Sequence, residues 1–84
     1  MSKTSINEQV VVTSMGFRQH KGLVAYPRRI EFRGTSYNFI DAGLRCLVNL
    51  GGCVAEILTL SDGVADYHLR HDSDGVWTLI SIAS

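Results

Sequence analysis

Residues 53–82 read CVAEILTLSDGVADYHLRHDSDGVWTLISI, and their punctuation decides the fold class. Cys53 to Leu60 is an aliphatic run of strand length. Ser61-Asp62-Gly63 is a turn in which glycine supplies a positive φ, and from Val64 to His71 the residues Tyr67 and Leu69 alternate with Asp66, His68 and Arg70. Successive side chains of a strand point to opposite faces, so Tyr67 and Leu69 turn inward and the three polar residues outward. Asp72-Ser73-Asp74-Gly75 is a second turn, and Val76 to Ile82, carrying Trp77 and Leu79, is a third strand. Strands joined by turns this short pair in order as an antiparallel meander.

The same period appears upstream. In Arg28-Arg29-Ile30-Glu31-Phe32-Arg33, Ile30 and Phe32 share one face while Arg29, Glu31 and Arg33 share the other. Gly34-Thr35 then gives a tight turn, and Tyr37 and Phe39 alternate with Ser36 and Asn38 in a return strand, making a hairpin. Val10-Val11-Val12-Thr13 is a strand of β-branched residues whose buried face stays open, and residues 1–8 read as a frayed polar lead-in. Asp41 to Leu50 has two readings. Asp41 can cap a helix that places Leu44, Leu47 and Val48 on one face and stops at Gly51, yet Leu44, Cys46, Val48 and Leu50 also alternate as in a strand. Cap, period and stop agree, so a short helix near 41–50 is expected. The expected fold is α+β, mainly β: five or six short antiparallel strands with one short helix, in a single small β-rich domain over residues 1–84.

Composition narrows function by exclusion. Eighty-four residues make one domain at most, and a chain this short buries roughly 60 to 65% of the surface its unfolded state exposes, so a deep catalytic cleft would compete with the core itself. The hydrophobic fraction of 45% and the single proline belong to a chain that folds rather than to a disordered or fibrous one. Eight basic residues cancel eight acidic ones, but not evenly along the chain. Residues 1–34 hold Lys3, Arg18, Lys21, Arg28, Arg29 and Arg33 against Glu8 and Glu31, a surplus of four positive charges; residues 35–84 hold Arg45 and Arg70 against six acidic residues, a surplus of four negative ones.

This dipole yields the interaction candidates. Arg18, Lys21, Tyr26, Arg28, Arg29 and Arg33 form the expected contact set, together with an exposed edge at Val10 to Thr13. Three readings compete for it: charges that neutralise across the sheet, a charge-complementary contact with a protein partner or a second copy of the chain, and phosphate contact with single-stranded nucleic acid aided by Tyr26 and Phe17. The glutamate between Arg29 and Arg33 weakens the last.

The search for reaction chemistry gives little. His68 and His71 are three apart, which on a strand sets them on opposite faces and prevents joint chelation. Asp72-Ser73-Asp74-Gly75 lacks the third acidic position and closing glutamate of a calcium loop. Gly16 to Gly22 has its lysine before the second glycine and no following Ser or Thr, so it is no phosphate loop, and no Gly-x-Ser-x-Gly elbow accompanies His68 and Asp66. No catalytic residue, metal or cofactor is therefore assigned, and the chain is read as no enzyme. Cys46 and Cys53 are expected as reduced, mostly buried thiols. The aromatics Phe17, Tyr26, Phe32, Tyr37, Phe39, Tyr67 and Trp77 are expected mainly in the core, with Tyr26 the best candidate for an exposed contact. Neither a secretory signal nor an apolar run long enough for a membrane span is read, so a cytoplasmic location away from membranes is expected.

The succession Pro27, Phe32-Arg33-Gly34, Tyr37, then Gly63 with Tyr67-His68-Leu69-Arg70, then Trp77-Thr78-Leu79 resembles a group of small uncharacterised bacterial β-domains, frequent in actinobacteria. These read approximately Pro, aromatic-Arg-Gly, Tyr, then a Tyr-x-Leu-Arg strand and a Trp-x-Leu strand. The resemblance spans Pro27 to Ile82 and implies a small antiparallel β fold, with no activity attached. Together these readings make the chain a small non-enzymatic bacterial domain that binds a protein partner or itself, with weak nucleic-acid binding through the basic amino-terminal half as the alternative.

Overall fold

The computed structural model of the protein describes residues 3–19 and 23–84. Seven strands follow one another: β1 (Lys3–Gln19), β2 (Leu23–Phe32), β3 (Thr35–Asn38), β4 (Asp41–Leu50), β5 (Cys53–Ser61), β6 (Asp66–His71) and β7 (Trp77–Ala83). They form one antiparallel sheet in the order β3-β2-β1-β7-β6-β5-β4. The carboxy-terminal meander is present, with β6 between β5 and β7.

The two ends of that order are neighbours in the chain. Only Phe39 and Ile40 separate β3 from β4. The Phe39 amide donates to the Arg28 carbonyl of β2 at 2.8 Å, and the Ile40 amide donates to the Ser61 carbonyl of β5 at 2.9 Å. The sheet therefore curls until its edges meet at this joint, closing a barrel at one end. β1 makes a second corner: Lys3 to Val10 pair with β7, and from Val11 onward the strand pairs with β2. At the other end the wall opens. There the β1–β2 hairpin continues past β7, and Leu44 to Leu50 of β4 pair, among the described residues, only with β5.

Two expectations are corrected. Residues 41–50 are a strand and not a helix, which raises the count to seven strands and leaves no helix among the described residues. Two physical facts decide this. Gly51 and Gly52 both have positive φ, 59° and 92°, and form the two-residue turn of a β4–β5 hairpin instead of a helix stop. β5 already pairs with β6 on one side, and β4 satisfies the backbone groups along its other side. Residues 3–8 are not frayed, because Lys3, Thr4, Ser5 and Glu8 pair with β7 and Ile6 packs against the core. Val10 to Thr13 is where β1 passes from β7 to β2: Val10 is buried and pairs with β7, and Val11, exposed, pairs with β2.

The core fills the closed end. Ile30, Phe32, Tyr67 and Leu69 are all buried, as the parity requires, and join Val10, Phe39, Leu58, Leu60 and Leu79 in one cluster. Tyr67 meets Phe39 edge-on at 5.1 Å between ring centroids and Tyr37 at 5.5 Å. Of the seven aromatics Phe32, Phe39 and Tyr67 are buried, Tyr26, Tyr37 and Trp77 are partly buried against the core, and Phe17 is exposed. Cys46 and Cys53 are free thiols but exposed, correcting the expectation of burial, since both lie on the outer face of the β4–β5 hairpin where nothing covers them. No helix among the described residues is long and apolar enough to cross a membrane.

Candidate functional site

The basic residues singled out from sequence fall along one arm of the sheet. Arg28, Arg29 and Arg33 are all exposed on or just beyond β2. Arg29 donates from Nε to Thr13 Oγ1 at 2.9 Å, and the Arg33 guanidinium is paired with Glu8 and lies 4.8 Å from the Phe32 ring centroid. Arg28 has no carboxylate partner among the described residues. Tyr26 is partly buried, its ring lying across Gly16, where a Cβ would come within 2.6 Å of the ring carbon Cζ. Arg18 sits opposite Val24 on β1, but its side chain, like His20 and Lys21 altogether, lies outside the described residues.

Among the described residues, no ion pair crosses between the two halves. Arg33 with Glu8 joins residues of the first half; Arg45 with Glu56 and Arg70 with Asp72 join residues of the second. Among the described residues, charge pairing is therefore local to each half.

A second constellation lies at the open end of the barrel. Leu58, Leu69 and Leu79 stand side by side on β5, β6 and β7, buried on the inner face. Two residues further toward the opening the corresponding row is Glu56, His71 and Trp77, which by strand parity face the same way. Arg45, opposite Leu58 on β4, reaches across to Glu56 Oε2, and His71 Nδ1 stands 3.5 Å from Glu56 Oε1. The His71 imidazole lies flat on the Trp77 indole, 3.9 Å between centroids and 3° between planes. These four side chains line a cleft of about 270 Å³ whose remaining walls are Met15, Ala25 and Leu58. Arg45, Glu56 and His71 also border an adjoining hollow of about 360 Å³ with Leu47, Val54 and the Asp72–Gly75 turn.

Sequence reasoning passed over this row, although part of its signal was there. If Tyr67 and Leu69 point inward, His71 has the same parity, and Glu56 shares the parity of the buried Leu58 and Leu60. A glutamate and a histidine at inward positions are the anomaly that a reading centred on outward charges does not register. His68 faces the other way, as its spacing from His71 requires, and its Nδ1 lies 3.1 Å from Thr59 Oγ1. No three His, Cys, Asp or Glu side chains among the described residues converge in a manner that could hold a metal ion.

A third polar group serves the fold. Asp62 Oδ1 accepts from the Val64 and Ala65 amides, and its Oδ2 accepts from the Tyr67 hydroxyl at 2.8 Å. The backbone donors, Ala65 foremost, hold the Asp62 carboxyl below its ordinary range, while burial and then the Asp62 carboxylate push the Tyr67 phenol well above its own.

Comparison with protein-family models, with curated proteins and with solved structures yields no match.

Proposed function

We propose that the protein is a non-enzymatic interaction module that associates with a second copy of itself through the open end of the barrel, β4 foremost. The observation that carries this reading is the unguarded edge of β4. Among the described residues the strand is paired from Leu44 to Leu50 on one side only, and Leu44 and Leu47, on opposite faces, are 76% and 64% exposed. Natural edge strands are blunted by lysine, proline or short length. β4 has ten residues, no proline and no lysine, and its one cation, Arg45, is drawn across to Glu56. Met15, Phe17 and Val54, on the two hairpin arms, are also exposed, so apolar area collects at the end where the wall is open.

A second copy suits both the edge and the charge. Two β4 edges meeting antiparallel make a two-fold contact in which each strand sees the same strand. Two dipoles arranged antiparallel set the positive half of one chain against the negative half of the other, which favours encounter and orientation. Light scattering over a range of protein concentrations tests the reading. Reversible dimerisation is expected, weakened about tenfold or more by Leu47→Lys or Leu44→Lys, that is by at least ~1.4 kcal/mol. A chain that stays monomeric at every concentration, or dimers indifferent to both substitutions, would refute it.

Nucleic acid is the second reading, favoured by the exposure of Arg28 and Arg29 without carboxylate partners among the described residues. Titrating labelled single-stranded DNA at low and moderate salt checks it: salt-sensitive binding that Arg29→Glu abolishes would support it, and no binding would dispose of it.

A further inference from the structure

We infer that the cleft between Met15 and Ala25 on one side and Arg45, His71 and Trp77 on the other is a binding site for a small organic carboxylate with an apolar body. This goes beyond self-association and does not depend on it.

The first ground is the cost of the arrangement. The inner face of a small barrel is normally filled by apolar side chains, as it is here one row deeper at Leu58, Leu69 and Leu79. Glu56 and His71 stand in the next inward row, with side chains 26% and 31% exposed, at positions that leucine or valine would fill without a polar group. Departures of this kind from the packing pattern are expected where a site is built. A shallow apolar cleft with a few convergent polar groups is the ordinary form of a ligand site.

The second ground is which polar atoms are left over. Glu56 Oε2 is paired with Arg45, and Oε1 lies 3.5 Å from His71 Nδ1. Glu56 thus stands between the other two and is paired with the Arg45 cation. The His71 ring lies flat on Trp77 with Nδ1 3.5 Å from Glu56 Oε1, so Nε2 is the nitrogen not turned to that carboxylate. Arg45 uses Nε for Glu56, leaving its terminal nitrogens without a protein partner among the described residues. A guanidinium offers only donors, arranged to fit a planar two-oxygen acceptor. Protonated on both nitrogens, the imidazole beside it can donate to that acceptor from Nε2 while Nδ1 faces Glu56. The pair calls for a carboxylate, and Met15, Ala25, Leu58 and Trp77 around it call for an apolar body.

Size follows from volume. A cleft of about 270 Å³ corresponds to roughly nine water molecules at about 30 Å³ each, so the ligand has about ten non-hydrogen atoms. Phenylacetate is a probe of that size; phenylacetamide and phenethylamine keep its shape with neutral and positive heads.

Trp77 is the single tryptophan, so its fluorescence reports directly from the cleft. Titration of the full chain with the three probes, followed by Trp77 emission and by NMR shifts of Arg45 and His71, should show saturable binding of phenylacetate with Kd of about 1 mM, the affinity expected of a ligand this small. Phenylacetamide should bind about tenfold more weakly or worse, and phenethylamine not at all. Arg45→Gln should weaken phenylacetate about tenfold while leaving the urea midpoint in place, and Arg28→Gln, on the β2 arm, should leave binding unchanged. The comparison of the three probes on the unaltered protein stands even if Arg45→Gln fails to fold. No saturable binding of phenylacetate, equal binding of all three, preference for the amine, or a folded Arg45→Gln variant that binds normally would each overturn the inference.

Discussion

At the scale of single residues, Asp62 does the most for its size. Its carboxylate ties the Ser61–Val64 turn to β6 by accepting from two backbone amides and the Tyr67 hydroxyl, and Tyr67 is in turn the centre of the aromatic cluster. Asp62→Ala should lower stability by about 1–2 kcal/mol, since the loss leaves Tyr67 without its partner in a buried setting. The pH dependence has a definite sign. Asp62 titrates lower in the folded chain than in the unfolded one, so its contribution is full above the ordinary carboxylate range and is lost as pH falls through its lowered folded value. Urea unfolding of the two proteins should differ at neutral pH and converge in strong acid; equal stability at neutral pH would show that the turn holds without it. By contrast the Arg33–Glu8 pair joins two exposed side chains, and such pairs contribute about 0–1 kcal/mol.

At the scale of elements, β4 is where sequence and structure part. Its ten residues fit a helical and an alternating period equally well, so periodicity alone could not choose. The choice falls to hydrogen bonds with β5, and it is reinforced at Gly43. That residue has φ of +64°, and a Cβ there would sit 1.7 Å from the Thr59 carbonyl oxygen, so the backbones of β4 and β5 approach closely at a register shift. β5, β6 and β7 were legible because their turns are short and carry their own chemistry in Asp62, Gly63, Asp72 and Gly75. The open edge of β4 makes a prediction at this scale. Alternate amides between Leu44 and Leu50, unpaired in a lone chain, should exchange with solvent quickly at high dilution and slow by about tenfold or more at concentrations where dimers form. Exchange independent of concentration would remove β4 from the contact.

At the scale of the whole molecule, the two arms of the sheet are joined through the pairing of β1 with β7. β1 and β7, first and last in sequence, are neighbours in the sheet, and Ile6 adds apolar contact to their pairing. Deleting residues 1–7 should therefore cost about 1–2 kcal/mol and lower Tm by about 4–8 °C for each kcal/mol, as read by calorimetry. An unchanged Tm would restore the polar lead-in suggested by composition. The sequence by itself determined which side chains turn inward, because parity along a strand is a local property: Ile30, Phe32, Tyr67 and Leu69 are buried as their spacing demands. It also determined the uneven distribution of charge. Only the tertiary structure decided that β3 and β4, joined through Phe39 and Ile40, bring the two ends of the sheet together, and that Arg45, Glu56, His71 and Trp77 from four strands meet at one opening. Both depend on register between strands, which is set by hydrogen bonds and packing among residues far apart in the chain and leaves no trace in the spacing along any one of them.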